Sequence, residues 1–525
     1  MFRQHFMFLV GVYCATMSAN NHNLLSVLNL RDPQRVFSPA LITESGATWS
    51  YSDLAMLSAK LAAVLSRLGV VKGDRVSAQV IKSPESLCLY FACLQVGAIY
   101  HPLNPAYSDR ELAYFLEDAG PKVFVCTPDR EAQSQSVGRA AKVEQILTLG
   151  ENGRGSLLEK VTDEALETTV ALEGSAPAAL LYSSGTTGRP KGIVLTHDNL
   201  SNNALALVEI WQFSDADVLL HTLPIFHVHG LFVACHCALI SGASMLWHTS
   251  FSAPAVLSQL PRATVFMGVP TYYTRLLQDP DLSPSVCRSI RLFISGSAPL
   301  LASTWSEFAV RTGHQILERY GMTETGMTLS NPLMGERKPG SVGFPLPGVE
   351  VRIEALEGST VKGQETGLLM VRGRNVFKEY WGMPEKTRAD FSDDGFFKTG
   401  DIASIDAEGY YSIVGRSKDM IISGGLNIYP KEIEQVLDEH PQVMESAVIG
   451  IPDSDYGERV IALIVPAAPV DDESSLIGSL VALCTEELAG FKRPKLFRLV
   501  DELPRNAMGK VQKTELRKQQ LERLA

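Results

Sequence analysis

Short apolar runs, each of which leads into a polar turn, recur through much of the chain. Clear examples are KVFVC (122–126), AALLYSSG (178–185), TVFMGVP (264–270) and IRLFISGSAPL (290–300). Continuous apolar runs bounded by glycine, proline or serine are typical of strands that are buried on both faces in layered α/β proteins. Because ligands of open α/β sheets bind beyond the carboxyl ends of the strands, we expect function in the polar turns.

Shorter, glycine-rich strands begin near Val342 and continue to about Arg416. The segments with this pattern are GLLMVRGRNVF (367–377), GFFKTGDIASID (395–406) and GYYSIVGRSKDMII (409–422). Short strands at this spacing, separated by turn residues, are typical of hairpins. They predict a β-rich subdomain that follows the α/β layers.

A separate unit is predicted after Arg416. Its helices are expected at 430–440 and 474–488, and its strands at 445–451 and 460–465. The predicted fold class is therefore α/β. It has a large N-terminal domain (21–415) of α/β sheet layers plus the β-rich subdomain, and a small, mobile α+β C-terminal domain (416–525). We expect a hinge near Arg416 to Lys418.

The net charge and composition of the chain exclude several classes of partner. The chain has 525 residues and a formal net charge of −11, without a long basic run. We therefore expect no general affinity for nucleic acid and no stable insertion into a membrane, and an anionic ligand needs a local cationic pocket. The eight cysteines lack the spacing of a disulfide framework or a zinc site, which favours a reducing compartment and no metal at Cys235-His236-Cys237.

The first residues allow three interpretations. Phe6 to Ala15 form an apolar run behind Arg3 that is too short to span a bilayer. This run fits a secretory signal, an organellar leader or an extension before the true start. Met17 opens MSANNHNLLSVLNL, which is typical of the amphipathic first helix of a cytosolic enzyme. We interpret 1–20 as a leader or an extended start, and predict a cytoplasmic location with the mitochondrion as the alternative.

The segment YSSGTTGRPKG (182–192) concentrates hydroxyls, glycines and cations directly after a predicted strand. Its glycines let main-chain N–H groups converge, and its serines and threonines add hydroxyl donors. Such a nest suits phosphate oxygens. It is not a Walker A loop, because no Gly-Lys-Ser/Thr follows Pro190. On composition alone, a flexible surface loop is the alternative.

Further segments follow in order: RYGMTET (319–325), TGD (399–401), GRSKDMIISGGLNIYP (415–430) and PRNAMGKVQK (504–513). Together with the first segment they resemble the acyl-adenylate-forming family of acyl-CoA synthetases, peptide-synthetase adenylation domains and luciferases. The resemblance extends from about residue 25 to 520. It implies Mg²⁺ as cofactor, ATP and coenzyme A (CoA) as co-substrates, and a reaction through an acyl-adenylate.

The resemblance also implies the residues of the nucleotide site. Its phosphate turn would contain Ser183, Ser184, Gly185, Thr186, Thr187, Gly188 and Lys191. Thr323 would contact the α-phosphate and Glu324 would hold Mg²⁺. Asp401, helped by Arg416, would accept hydrogen bonds from the ribose. Lys510 would bridge the carboxylate and the α-phosphate, because two reacting anions need a metal and a cation between them.

For the second step the resemblance implies that the C-terminal domain rotates about Lys418. This rotation would withdraw Lys510 and bring ISGGLN (422–427) to the site. Gly424 and Gly425 would then leave room for the pantetheine arm of CoA, whose sulfur displaces AMP. Since the chain has no carrier-like serine motif, a free thiol acceptor is favoured over a carrier protein.

The acid pocket is expected from LPIFHVHGLF (223–232), GVPTYYTRLL (268–277) and FISGSAPL (293–300). A fatty-acid enzyme needs an apolar tunnel here, whereas this region contains Arg275. A buried guanidinium needs an anion beside it, and a second carboxylate on the acid supplies one. We therefore predict a short dicarboxylic acid, with Arg275 as the anchor of its distal carboxylate. A surface position for Arg275 and a monocarboxylate substrate are the alternative.

Three segments resemble the sequences of malonyl-CoA synthetases: LPIFHVHGLFVA, VPTYYTRLL and RYGMTETGMTLSNP. By this resemblance the small-molecule substrates are malonate, ATP and CoA. His229, Ser297 and Arg319 would assist Arg275 in binding the acid, and His229 is also a candidate catalytic residue. His227 is interpreted as a core histidine and left out of the site.

Two further points bear on the acid. Arg319 has an alternative role, which is to brace Glu318 or the C-terminal domain. Many relatives have asparagine after the GMTET stretch, whereas this chain has Gly326. We expect the missing side chain to enlarge the acid pocket, so that methylmalonate or another small diacid is accepted.

Overall fold

The computed structural model describes residues 21–183, 190–355, 365–423, 426–453, 456–505 and 510–524. The predicted leader at 1–20 lies outside these residues. The described part of the predicted first helix is Leu24–Leu28. Within the described ranges, no helix is both long enough and apolar enough to cross a membrane.

The predicted apolar runs form strands of two large sheets, which confirms the α/β layers. One sheet is mostly parallel, with antiparallel strands at one edge. Its described strands, in spatial order, are Glu379–Tyr380, Lys191–Thr196, Pro177–Ser183, Ile99–Pro102, Arg75–Gln79, Val123–Cys126 and Gln145–Thr148. The strands on the two sides of the predicted phosphate turn, Pro177–Ser183 and Lys191–Thr196, are antiparallel neighbours in this sheet.

The second large sheet carries the predicted acid segments. Its described strands, in spatial order, are Phe344–Pro345, Gly326–Ser330, Leu317–Met322, Leu292–Ser295, Val265–Gly268, Val218–His221, Ser244–Trp247, Pro39–Thr43 and Thr48–Ser50. Leu292–Ser295 and Leu317–Met322 are parallel neighbours, with Ser295 opposite Glu318. The turn after Ser295 therefore lies beside Arg319, the next residue of the second strand.

Helices cover the sheets and separate them. Pro84–Val96 is buried along its whole length, as expected for a helix that is apolar on all sides. It packs against Tyr51–Arg67, and residues of both sheets join the same apolar core. The other described α-helices before the C-terminal unit are Asp109–Ala119, Glu131–Ala140, Ser156–Glu159, His197–Trp211, His236–Ser241, Ala253–Gln259, Pro270–Gln278, Ala302–Thr312 and Pro384–Asp390.

The predicted β-rich subdomain is an antiparallel sheet. Its strands are Val349–Ala355, Glu365–Gly373, Phe397–Ile405 and Tyr411–Arg416. The sheet ends within the segment 409–422, beside the hinge predicted near Arg416 to Lys418. The strand ends at Arg416, the turn Ser417–Asp419 follows, and Ile421–Ser423 belongs to the next sheet. The polar sequence Ser-Lys-Asp breaks the apolar alternation at this point.

The C-terminal unit is an α+β layer, as predicted. Its sheet contains Leu426–Ile428, Ile421–Ser423, Gly457–Pro466, Val443–Asp453 and Leu496–Leu499. The helices Pro430–Asp438 and Glu473–Glu487 pack on this sheet and on each other, and Lys513–Leu524 packs on Val443–Asp453. The predicted helices at 430–440 and 474–488 lie within two residues of the observed ones.

Candidate active site

An antiparallel strand pair positions the predicted ribose-binding residues. Asp401 lies opposite Arg416 in the register of Phe397–Ile405 and Tyr411–Arg416. Arg416 Nε lies 3.1 Å from Asp401 Oδ1, and the Tyr320 hydroxyl donates a hydrogen bond of 2.5 Å to Asp401 Oδ2. The Asp401 carboxylate raises the pKa of Arg416. Both oxygens of the buried carboxylate are thus oriented by fixed donors.

The turn that follows the strand Leu317–Met322 carries Thr323 and Glu324. Thr323 is half-buried and Glu324 is buried. The Glu324 main-chain carbonyl accepts a hydrogen bond of 2.6 Å from the N–H of Phe377, which ties the turn to the segment after the strand Glu365–Gly373. Burial raises the pKa of Glu324, and the charges of Arg416 and Lys510 oppose that rise.

Lys510 of the C-terminal unit interacts electrostatically with Glu324 of this turn. Although Lys510 as a residue is exposed, burial of its ammonium group is the main cause that lowers its pKa. Arg416 and Arg319 lower the pKa further, whereas Asp401 and Glu324 raise it. The structure therefore brings Lys510 into the electrostatic range of both the nucleotide residues and Arg319.

Two described residues of the phosphate turn border Glu324. The Ser183 hydroxyl lies 3.5 Å from Glu324 Oε1. Lys191 is buried, its ammonium lies 5.1 Å from the ring centroid of Tyr380, and Glu324 is among the charges that shift its pKa. The predicted residues Ser184, Gly185, Thr186, Thr187 and Gly188 lie outside the described residues.

The surroundings of Glu324 fit a magnesium ion. Mg²⁺ prefers oxygen ligands and is commonly held by one or two carboxylates together with substrate phosphates and water. Glu324 supplies a buried carboxylate next to the Ser183 hydroxyl, at the phosphate turn. A bound cation would also offset the burial that raises the pKa of Glu324.

The predicted acid residues His229, Ser297 and Arg319 lie together. His229 begins a π-helix, His229–Cys235, and its Nδ1 lies 3.3 Å from the Ser297 hydroxyl. Ser297 has a φ of 71°, a left-handed conformation that is rare for serine and that clusters at functional sites. Burial and the charge of Arg319 hold the pKa of His229 well below its usual range, so its ring is neutral.

Arg319 is a buried guanidinium. Its exposed fraction is 4%, and its Nε and Nη2 have no hydrogen-bond partner among the described residues. Burial lowers the pKa of Arg319 to about 9. The guanidinium lies against Gly296, where an added Cβ would lie 2.4 Å from Arg319 Cζ. The glycine thus provides the space that the guanidinium occupies beside Ser297.

Family comparison agrees with this geometry. The chain matches the AMP-binding enzyme family over residues 32–381, and the C-terminal domain of AMP-binding enzymes over residues 432–510. The protein belongs to the AMP-binding enzyme family. The resemblance to acyl-adenylate-forming enzymes is confirmed, and the protein is an AMP-forming acyl-CoA synthetase.

Individual relatives of this AMP-binding enzyme differ in their named substrates. The malonate–CoA ligase of Arabidopsis thaliana is 36% identical over 490 residues, which are 86% of this chain and 78% of the relative. A feruloyl-CoA synthase of Amycolatopsis sp. is 38% identical over 483 residues, 91% and 95% of the two chains. The crystal structure of ATP-bound MatB from Rhodopseudomonas palustris has a TM-score of 0.90 and 46% identity, and the match covers 95% of this chain and 99% of that one.

Arg275 does not occupy the buried position expected of it in this AMP-binding enzyme. It lies on the helix Pro270–Gln278, whose buried residues are Tyr273, Leu276 and Leu277, and it is exposed. Arg275 follows Tyr273 by two positions, or about 200° around the helix, so it points away from the core. The expectation of a buried guanidinium is therefore wrong for Arg275 and is met by Arg319. A role of Arg275 in binding the acid stays a prediction.

One part of the alternative role of Arg319, which is to brace Glu318, finds no support, and a role in bracing the C-terminal domain stays a prediction. Neighbouring residues of a strand point to opposite faces, and the Glu318 carboxylate accepts a hydrogen bond of 2.8 Å from the N–H of Gly340. Burial raises the pKa of Glu318 to about 8. Among the described residues, no ion pair joins Arg319 and Glu318.

His227 and Tyr320 are members of the site that the sequence analysis left out. His227 is half-buried. Burial is the main cause that lowers its pKa to about 3, and the charges of Lys510 and Arg319 lower it further. Its Nδ1 also accepts a hydrogen bond of 3.3 Å from the N–H of His229. The sequence HVH (227–229) already indicated a functional position for His227, since two histidines in a turn after a buried strand are unusual for a core. Tyr320 carried no comparable signal outside its motif.

Gly326 does not enlarge the acid pocket. Its φ is 56°, and an added Cβ would lie 2.6 Å from Asn203 Oδ1. Asn203 accepts a hydrogen bond of 2.9 Å from the N–H of Met327 and donates one of 2.7 Å to the Met327 carbonyl. The side of Gly326 where a side chain would project is therefore filled by Asn203, and the expected extra space for the acid is absent there.

We predict that Gly326→Ala changes stability but not the choice of acid. The left-handed backbone and the contact with Asn203 should lower the free energy of unfolding by about 1–3 kcal/mol. The ratio of kcat/KM for malonate and methylmalonate should change by less than about twofold. Chemical denaturation and steady-state kinetics measure both. A changed ratio with unchanged stability would place this position in the acid pocket after all.

The remaining predicted residues concern the second step. Lys418 is exposed in the turn Ser417–Asp419, which joins the β-rich sheet to the C-terminal sheet. This place suits a hinge, and the role stays a prediction. Gly424 and Gly425 lie outside the described residues, and the CoA contact predicted for them stays a prediction as well.

Proposed function

We propose that this enzyme is a malonate–CoA ligase, which converts ATP, malonate and CoA into malonyl-CoA, AMP and diphosphate. The observation that carries the proposal is the burial of Arg319 with two guanidinium nitrogens that have no partner among the described residues. An uncompensated buried charge is unfavourable, and a carboxylate that accepts from these nitrogens removes the penalty. Malonate has one carboxylate to react and a second one for this role.

The neighbours of Arg319 support a diacid. Ser297 and neutral His229 add polar groups next to the guanidinium, whereas a pocket for a hydrocarbon chain is lined mainly by apolar side chains. The malonate–CoA ligase of Arabidopsis thaliana is among the similar proteins. The distal carboxylate would bind Arg319, with Ser297 and His229 beside it. Arg275 is a candidate for a second contact with the same carboxylate.

In the first step, an oxygen of the other carboxylate attacks the α-phosphorus of ATP. The new P–O bond forms as the bond to the β-phosphate breaks, so diphosphate leaves and malonyl-adenylate remains. Lys510 would neutralise charge between the carboxylate and the α-phosphate. Thr323 would donate to the α-phosphate, and Asp401 with Arg416 would hold the ribose. Bound Mg²⁺, held by Glu324, would supply further positive charge to the phosphate oxygens.

In the second step, the CoA sulfur attacks the carbonyl carbon of the mixed anhydride. The C–S bond forms, the C–O bond to AMP breaks, and the thiol proton is released. The rotation about Lys418 would remove Lys510 before this step and bring Gly424 and Gly425 to the pantetheine arm. Orientation of the two bound reactants contributes to the rate of both steps.

A panel of acids tests the proposal. Thioester formation is measured with malonate, methylmalonate, acetate, butyrate and ferulate, with CoA as the only thiol. We expect kcat/KM for malonate to exceed that for acetate by at least about 10²-fold, because acetate leaves Arg319 without a partner. Equal use of malonate and acetate would refute the dicarboxylate argument. A reaction that needs a carrier protein in place of CoA would refute the ligase assignment.

A further inference from the structure

A buried polar cluster next to His229 has no part in the steps above. It contains Lys82, His221 and Cys235, and all three side chains are buried. His221 ends the strand Val218–His221, and Cys235 ends the π-helix that His229 begins. Burial, Arg319 and His227 lower the pKa of His229, and His221 contributes to the same shift.

The Lys82 side chain contacts the Nδ1 side of the His221 ring. Lys82 Nζ lies 2.6 Å from His221 Nδ1 and 2.9 Å from the His221 carbonyl oxygen. It also lies 4.3 Å from the ring centroid of Trp247, a distance that suits a cation–π contact. Burial lowers the pKa of Lys82 to about 7. In its protonated form Lys82 only donates, so Nδ1 accepts and the ring proton is on Nε2. Burial and the Lys82 charge keep His221 neutral by lowering its pKa well below the usual range.

The proton on His221 Nε2 faces the first turn of the π-helix. Nε2 lies 2.9 Å from the Gly230 carbonyl oxygen, which can only accept, so this partner requires the same tautomer. On its other side Gly230 touches the main chain, since an added Cβ would lie 2.0 Å from the Pro224 carbonyl oxygen. The residue that directly follows His229 is thus held from two directions.

We propose that Lys82 and His221 are positioning residues for the binding of the acid. Lys82 orients the His221 ring, His221 holds the Gly230 carbonyl, and Gly230 fixes the backbone that presents His229 to Ser297. π-Helical turns are frequent at functional sites, and small displacements of a binding group have large effects on rate. The inference rests on the proposed function in one respect, which is the place of His229 in the acid pocket.

Two substitutions of His221 separate its contacts. In His221→Asn the amide oxygen replaces Nδ1 as the acceptor for Lys82, but no donor reaches Gly230. In His221→Gln the longer amide carries its NH₂ to the place of Nε2 and restores that donor. Lys82→Met removes the donor to Nδ1, and with it one of the two contacts that orient the His221 ring. His236→Gln is the control, because His236 is equally buried and pairs with the Tyr90 hydroxyl at 3.0 Å.

All variants are measured by acid-dependent exchange of diphosphate into ATP, with the acid that the unmodified enzyme uses best. Failure of malonate as substrate is therefore distinguishable from failure of this inference. We expect His221→Asn and Lys82→Met to raise the KM for the acid about tenfold, and the KM for ATP by less than about twofold. His221→Gln should stay within about threefold of the parent enzyme, and His236→Gln should leave the KM for the acid unchanged.

Thermal unfolding shows whether each variant is folded, and the two His221 variants suffice if Lys82→Met does not fold. A merely structural role would lower the unfolding temperature and the amount of active enzyme, with an unchanged KM for the acid. That result for His221→Asn would overturn the proposal. An equal rise in KM for His221→Asn and His221→Gln would overturn it too, because the contact with Gly230 would then be irrelevant.

Discussion

Lys510→Ala should reduce the rate of acyl-adenylate formation by about 10²- to 10³-fold. One well-placed group that stabilises developing charge is commonly worth this factor. Besides burial, the charges of Arg416, Asp401, Glu324 and Arg319 shift the pKa of Lys510, so residues of both the predicted nucleotide site and the predicted acid site act on its ammonium. Exchange of diphosphate into ATP in the presence of malonate measures the adenylation step.

The second step provides the internal comparison. Supplied malonyl-adenylate and CoA should still give the thioester within about threefold of the normal rate, because Lys510 would be withdrawn at that stage. Lys518→Ala is the matched control, since Lys518 is exposed on the helix Lys513–Leu524. Equal losses in both steps would instead indicate that Lys510 supports the fold or the binding of both substrates.

Arg319→Met should lower kcat/KM for malonate by at least about 10²-fold. The carboxylate would lose a buried guanidinium, and breaking a buried pair by removing one partner costs about 3–5 kcal/mol. The KM for ATP should change by less than about threefold, and the preference for malonate over acetate should fall by a similar factor. Steady-state kinetics with both acids measure these quantities.

The thermal stability of Arg319→Met should not fall with its activity. Burial lowers the pKa of Arg319 to about 9, which means that the free enzyme holds this charge unfavourably. An uncharged methionine, which replaces the aliphatic part of the arginine side chain, should therefore keep or raise the unfolding temperature while activity falls. Arg275→Ala is the control, and its loss of malonate activity should be below about tenfold. A large loss in Arg275→Ala with a small loss in Arg319→Met would restore Arg275 as the anchor.

The fold was predictable because local patterns and long-range packing agree. Each of the apolar runs named at the outset contains a strand, and in each case the strand ends where the polar turn begins. The C-terminal helices were found to within two residues because Pro430 and Asp472 mark their starts. The turn Ser417–Asp419 lies beside the hinge predicted near Arg416 to Lys418, and the apolar residues on its two sides belong to different sheets.

The acid site was harder to predict because it depends on burial. Helical periodicity in PTYYTRLLQ was sufficient to predict that Arg275 faces away from Tyr273, whereas the argument used only its charge. The burial of Arg319 depends on Gly296, which lies on a neighbouring strand connection far away in sequence. The π-helix at His229–Cys235 has no reliable sequence signal. Motif spacing identified which segments meet, but not which side chain of a segment points inward.

The bridge between Asp401 and Arg416 lies on the N-terminal side of the turn Ser417–Asp419. If the chain pivots at Lys418, the bridge stays where it is while everything beyond the turn swings. If Asp401 and Arg416 hold the ribose, the adenylate can then remain bound while Lys510 leaves its acyl group and CoA approaches. Such an arrangement lets CoA replace Lys510 without release of the adenylate.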